Sequence, residues 1–386
     1  MPIIIFSHRI RLSAFYAAFF AVVGVQQPFW PLWLKSNGLS AAEIGVTLAV
    51  SIGIKILAAP AAAHIADQTG ERRLPMLVCV GFSLLAYGFF VFADSFWPIL
   101  LVSLVFFAVW PPVMALAESL TVMVAHKEQF DYGRVRLWGS LSFIVTAIVS
   151  GRILVSEPAD AVLWIVLACI LLTVTTCAWL PDVRSEPRVS GLLPIVEILR
   201  NRPFGMCLIT CGMIQGSHAV YYAFGTLHWQ AQGYSEAIIG ALWAEGVIAE
   251  IILFMFGAQS LKRFGPRGLI ILAGLASTVR WLGTGYAESL PAIIALQALH
   301  AFSFGAAHLG AMYYIGAYVA PSVSATAQSL YSGIVWGVFL GATLFAAGWL
   351  YGAFQGGAFL AMTGLAMLGS LCAVLIGTIK PPLPES

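Results

Sequence analysis

Charge is what this 386-residue sequence has least of: Asp, Glu, Lys and Arg make up 9% of it, against about 25% in a soluble domain. With a formal net charge of +2 it also lacks the basic field a polyanion needs, which excludes a nucleic-acid binder. Its 60% apolar content exceeds what a water-soluble body hides, and rules out a disordered tail protein as well. Cysteine is scarce. All six (Cys79, Cys169, Cys177, Cys207, Cys211, Cys372) fall inside apolar stretches, so no disulfide framework is expected. Cys207 and Cys211 share a helix face, but nothing near them completes a metal site, and no metal or cofactor is expected. There is no HExxH, no GxSxG beside a plausible base and no nucleotide loop, which argues against an enzyme. No soluble output domain is attached, which argues against a membrane sensor.

What is there is length of apolar run. A helix crossing the hydrocarbon needs about 20 residues, and twelve stretches qualify: 12–34, 42–66, 74–93, 97–124, 137–155, 161–180, 204–230, 237–260, 269–287, 292–318, 325–351 and 356–378. They are continuous, without the alternation of a membrane barrel. Fourteen Lys and Arg side chains fall on one side of this arrangement and only Lys35 and Arg152 on the other. That bias places both termini and the connection between the sixth and seventh spans in the cytoplasm. The first span is too long for a signal-peptide core.

The chain repeats. Asn37-Gly38-Leu39-Ser40 through Gly45 is matched, 195 residues on, by Gln232-Gly233-Tyr234-Ser235 through Gly240. At the same shift Gly70 falls on Gly265 and Arg72 on Arg267. Glycine suits these reversals because a positive φ costs it nothing. The reading is an all-α membrane protein of twelve transmembrane helices in two six-helix bundles, residues 1–181 and 203–386, joined by a cytoplasmic linker, 182–202. Halves of this kind hold a substrate between them near the midplane.

Six ionisable side chains sit within or at the mouths of spans: Lys55, Glu118, Arg136, Glu245, Glu250 and Arg280. Each costs roughly 2.5–3.5 kcal/mol at a helix centre, so each needs a partner or water. Glu118 and Arg136 lie at similar depth on sequential helices, as do Glu250 and Arg280. Glu245 and Glu250 are about 140° apart around their helix, so one of them faces inward more fully. Polar side chains at three- and four-residue spacing line two more spans: Gln215, His218 and Tyr222 on one, and Gln297, His300, Phe304 and His308 on the other. Pro28 and Pro31 free backbone carbonyls and bend the outer end of the first span, with Gln26 turned inward. Asp67, Gly70 and Arg72 form a turn able to clamp neighbouring helices.

These residues resemble the major facilitator superfamily, and within it the oligosaccharide–proton symporter branch, along the whole chain. Pro28-Phe29-Trp30-Pro31-Leu32-Trp33-Leu34 looks like that branch's first-span signature. The stretch from Asp67 to Arg73 is a degenerate copy of the superfamily's inner-loop motif, with Ala63 where the motif opens on Gly and Glu71 at a usually basic place. Asp131-Tyr132-Gly133-Arg134-Val135-Arg136-Leu137-Trp138-Gly139-Ser140, Gln215-Gly216-Ser217-His218, Val279-Arg280-Trp281 and Leu299-His300 resemble 3-phenylpropionate permeases.

The resemblance implies that Glu118 and Arg136 touch substrate, that Glu250 and Arg280 belong to an acid–base set of the second half, and that His300 is functional. Ser303 stands where sugar symporters carry a Glu for the proton, so coupling must use another acid, Glu250 first and Glu245 second. The expectation is a monomeric transporter in a bacterial inner membrane, taking up a small aromatic or aryl-aliphatic carboxylate, of the 3-phenylpropionate kind, with a proton by alternating access. The Arg136 fork would hold the carboxylate, with Gln26, Glu118, Gln215, His218, Tyr222, His300, Phe304 and His308 around the substrate. A sugar or nucleoside symporter is the alternative.

Overall fold

The structure is a computed structural model that describes residues 7–184, 195–320 and 323–376; the side chains of Ala59, Ala63, Asp67, Glu197 and Ala325 lie outside what it describes. The secondary structure among the described residues is helical. In chain order the helices are α1 (His8–Ser36), α2 (Ala41–Thr69), α3 (Arg73–Gly88), α4 (Phe96–Glu128), α5 (Tyr132–Ile153), α6 (Ala161–Ala178) and the short α7 (Ile195–Arg200). There follow α8 (Arg202–Gly216), α9 (Ala219–Ala231), α10 (Glu236–Met255), α11 (Gly257–Tyr286), α12 (Leu290–Ala298), α13 (Ala307–Tyr318), α14 (Ser324–Tyr331), α15 (Leu340–Phe354) and α16 (Ala358–Ile376). Wide π-helical turns, Ala301–Ala306 and Ser332–Phe339, join α12 to α13 and α14 to α15.

Nine helical stretches among the described residues are long and apolar enough to cross a bilayer. The difference from twelve has local causes. The stretch over 204–230 is broken at Ser217-His218 into α8 and α9, each shorter than a span. Helix α5 carries Arg134, Arg136 and Arg152, too much charge for its 22 residues. The last two runs are separated only by a tight turn at Gln355–Gly357, so they read as one stretch of 50 residues.

The chain divides into two compact units: Met1–Leu39, Gly53–Gly191 and Gly233–Ala244 form unit one, and Ser40–Ile52, Leu192–Gln232 and Glu245–Ser386 form unit two. The 195-residue repeat is visible in how each is built. In unit one α1 packs on α5 and α6, and α3 on α4 and α6; in unit two α8 packs on the Ser332–Phe339 turn and α16, and α11 on α13 and α16. Small residues set the closest approaches. A Cβ on Gly24 of α1 would fall 2.7 Å from the Phe143 carbonyl oxygen of α5.

The glycines paired by the repeat are conformationally paired too. Gly38 and Gly233 have φ of 80° and 89°, and Gly70 and Gly265 have 69° and 66°. Two further mates share a role. A Cβ on Gly45 would meet the Gly348 Cα at 2.7 Å within unit two, and one on Gly240 would run into the Ala147 carbonyl oxygen within unit one.

Candidate functional site

Unit two holds a buried polar cluster built around Arg280, whose side chain is fully inaccessible to solvent. Its Nη1 donates to His300 Nδ1 at 2.9 Å and to Ser303 Oγ at 3.1 Å, and its Nη2 donates to Gln297 Oε1 at 2.6 Å. Gln297 Nε2 donates onward to the Tyr221 hydroxyl at 3.1 Å. The guanidinium also lies 4.5 Å from the ring centres of both Tyr221 and Trp281. Aromatic faces and neutral acceptors thus surround a cation taken out of water, which keeps its burial tolerable. Arg280 Nε has no hydrogen-bond partner among the described residues.

His300 joins this cluster to an acid. While Nδ1 meets Arg280, Nε2 lies 3.9 Å from Glu250 Oε2. Glu250 and Arg280, expected at similar depth, are therefore linked through an imidazole. Glu245 is also near enough for the Arg280 charge to act on it. His218 adds a second imidazole, its Nε2 3.3 Å from Ser303 Oγ and its ring stacked on Tyr222 at 5.6 Å. Phe304 stacks on His300 at 5.1 Å, and its carbonyl accepts from Gln215 Nε2 at 3.3 Å. Of the residues expected on these two helix faces, His308 alone stands outside the cluster, half-buried and without a polar or ring contact among the described residues. The reason is the wide turn at Ala301–Ala306. Its extra residue rotates the downstream helix by about 100° relative to an unbroken one.

Unit one carries a different arrangement. The Arg136 guanidinium of α5 lies 4.0 Å from the centre of the Phe20 ring and 5.7 Å from that of Tyr16, both on α1. Gly139, one turn on, gives the Phe20 ring room: a Cβ there would fall 2.6 Å from it. Glu118 of α4 feels the Arg136 charge, but no ion pair joins the two among the described residues. Gln26 of α1 is buried, and its Nε2 has no hydrogen-bond partner among the described residues.

The turn at Gly70 is tied to two neighbouring helices by its arginines. Arg72 is buried, and its Nε donates to Ser119 Oγ of α4 at 2.8 Å. Arg73 donates to the Ala178 carbonyl at the end of α6. In the repeat, Arg267 donates to the carbonyls of Ala373 (3.4 Å) and Val374 (2.5 Å) near the end of α16. Ala178 and Ala373 are themselves 195 apart. In each unit an arginine thus sits on the negative end of a helix, where its charge is favoured. The side chain of Asp67 lies outside the described ones.

Residues 9–361 match the model of the MFS_1 like family. This chain belongs to the major facilitator superfamily. It is 29% identical over 376 residues to the "Probable 3-phenylpropionic acid transporter" of Escherichia coli (strain K12), covering 92% of this chain and 94% of that one. To the maltose permease of Geobacillus stearothermophilus it is 27% identical, covering 83% and 82%. Among solved structures the nucleoside transporter NupG shares the fold with a TM-score of 0.84 at 16% identity, over 97% of this chain and all of that one. This major facilitator protein is a multi-pass membrane transporter of small molecules and not an enzyme.

Sequence reasoning about this facilitator missed Ser303 as a positive contributor. The serine marked where a carboxylate is lacking, whereas its hydroxyl bridges Arg280 and His218. Ser217 was also missed; it accepts from Trp281 Nε1 at 2.8 Å where α8 breaks into α9. The available signal was spacing: Ser303 follows His300 by three residues, on the same helical face.

Proposed function

We propose that this chain is a proton-coupled symporter that takes up a small aryl-aliphatic carboxylate, of the 3-phenylpropionate kind, by alternating access. In this reading twelve spans form two six-helix bundles, 1–181 and 203–386, joined by the cytoplasmic linker 182–202, with both termini in the cytoplasm of a bacterium. The observation that carries the substrate class is the Arg136 guanidinium resting on Phe20 at 4.0 Å. A ring face holds the planar cation in one orientation and leaves its fork edge for a carboxylate. The relative at 29% identity is named for such an acid, which supports the same choice. Glu118, Gln26, Gln215, His218, Tyr222, His300, Phe304 and His308 complete the substrate surroundings in this reading, and Asp67, Gly70 and Arg72 belong to the gate.

Coupling has a physical motive. A lone anion entering against an inside-negative potential is opposed by about 2.3 kcal/mol per 100 mV; one proton per monoacid removes that opposition. Glu250 takes the proton, supported by its approach to His300 at 3.9 Å, and Glu245 is its reserve. The test is uptake of labelled 3-phenylpropionate into liposomes holding the purified protein. An inward proton gradient is expected to drive accumulation, with no flux of galactosides or nucleosides. Gradient-driven flux of a galactoside or nucleoside in its place overturns the reading in favour of a sugar or nucleoside symporter.

A further inference from the structure

Lys55 occupies the midpoint of the 29-residue α2. Leu57, 71% exposed, lies two residues on, about 200° around the helix, so Lys55 is on the face away from that apolar side chain. Its own face is polar. Glu43, Thr47, Ser51 and Lys55 recur every four residues, and Thr47 and Ser51 are buried. The Lys55 ammonium lies 5.5 Å from the centre of the Phe107 ring on α4. Among the described residues it has no ion pair and no hydrogen bond.

Charge is distributed unevenly between the units. Of the six ionisable side chains noted above within or at the mouths of spans, unit one holds Lys55, Arg136 and Glu118, and unit two holds Arg280, Glu245 and Glu250. A cation with no acidic partner among the described residues, in a medium that resists lone charges, calls for an anion. A chain of ring contacts runs between the two cations of unit one. Phe20, beneath Arg136, touches Phe19 at 5.7 Å; Phe19 stacks on Trp110 at 4.3 Å; Trp110 meets Phe106 at 5.7 Å and Phe106 meets Phe107, beneath Lys55, at 5.0 Å.

We infer that Lys55 is a second anion contact of unit one and binds the carboxylate of the transported acid. This rests on the aryl-carboxylate reading above. As a compact, strongly hydrated charge, an ammonium exchanges anions readily, whereas the flat Arg136 fork fixes their orientation.

Two measurements test it. In liposomes, Lys55→Gln is expected to raise the KM for 3-phenylpropionate at least tenfold while turnover stays within about threefold, and Lys55→Arg to restore KM to near the original. On the unaltered protein, 3-phenylpropionate is expected to slow acylation of Lys55 by acetic anhydride, read by mass spectrometry, whereas 3-phenylpropanamide does not. If the unaltered protein takes up 3-phenylpropionate and Lys55→Gln does so with the same KM, the Lys55 assignment is overturned and the substrate reading stands. Equal acylation with and without the acid overturns it too, on a chain whose folding no substitution has touched. Absence of 3-phenylpropionate uptake by the unaltered protein overturns the substrate reading and this inference together.

Discussion

Arg280 Nη1 donates to His300 Nδ1 across 2.9 Å. A guanidinium has no acceptor to offer, so Nδ1 must be the bare nitrogen and the ring proton must sit on Nε2, facing Glu250. The two sides of one imidazole are then separable by substitution. His300→Asn keeps an acceptor near the Nδ1 position and is expected to hold thermal stability within about 1 kcal/mol of the parent, since no buried donor is stranded. It removes the N–H turned toward Glu250 and is expected to abolish uphill accumulation. His300→Leu strands an Arg280 donor and is expected to cost about 1–3 kcal/mol as well. Thermal unfolding beside gradient-driven uptake separates the two effects.

Glu250→Gln keeps the size of the side chain and removes the group that takes the proton in the proposed cycle. The expected outcome is loss of accumulation against a gradient with exchange down a gradient retained. A Gln variant that still concentrates 3-phenylpropionate removes Glu250 from the role and leaves Glu245 to be examined by the same substitution.

Arg136 is expected to behave as a shape rather than as a charge. The flat guanidinium lies on Phe20, and lysine offers neither the plane nor the paired donors. Arg136→Lys is therefore expected to lose uptake nearly as completely as Arg136→Gln, each by tenfold or more in turnover over KM. Parental uptake by the Lys variant identifies a simple charge requirement.

Gly70 and Gly265 hold φ of 69° and 66°, and a Cβ added to Gly265 meets open space. At Gly265 alanine meets no neighbour, so the whole penalty there is the left-handed backbone, about 1–2 kcal/mol, and the same φ carries the same penalty at Gly70. Gly70→Ala and Gly265→Ala are expected to lower the thermal midpoint, whereas Gly53→Ala, equally open and within α2, is expected to leave it unchanged or raise it. Matching losses at the first two positions show that the repeat preserves backbone conformation as well as sequence.

The repeat was the most legible feature of the sequence, because a turn that demands glycine leaves a residue that nothing else replaces cheaply. Gly38 with Gly233 and Gly70 with Gly265 are therefore readable at their spacing and again in their dihedral angles. The polar cluster was legible in membership, since Arg280, His300, Gln297 and His218 are costly in a span. Its wiring was not. Periodicity places residues on a face without saying which donor meets which acceptor, and three acceptors share the one Arg280 guanidinium. That His308 stands apart from the cluster was not legible, because a wide turn leaves no mark in a run of small and aromatic residues, Ala301-Phe302-Ser303-Phe304-Gly305-Ala306. Lys55 was visible as an expensive charge, but only the structure shows that no carboxylate among the described residues answers it.

The wide turns at Ala301–Ala306 and Ser332–Phe339 meet where Phe304 and Trp336 come within 5.4 Å, ring centre to ring centre. Each holds one more residue per coil than ordinary helix, a spare link in the chain. Deleting a residue inside either turn would close it to a regular coil and leave the helix beyond it in step with its neighbours. The same deletion a few positions away would swing a whole cylinder out of register. Tolerance to shortening in these two membrane helices is thus concentrated where Phe304 and Trp336 touch.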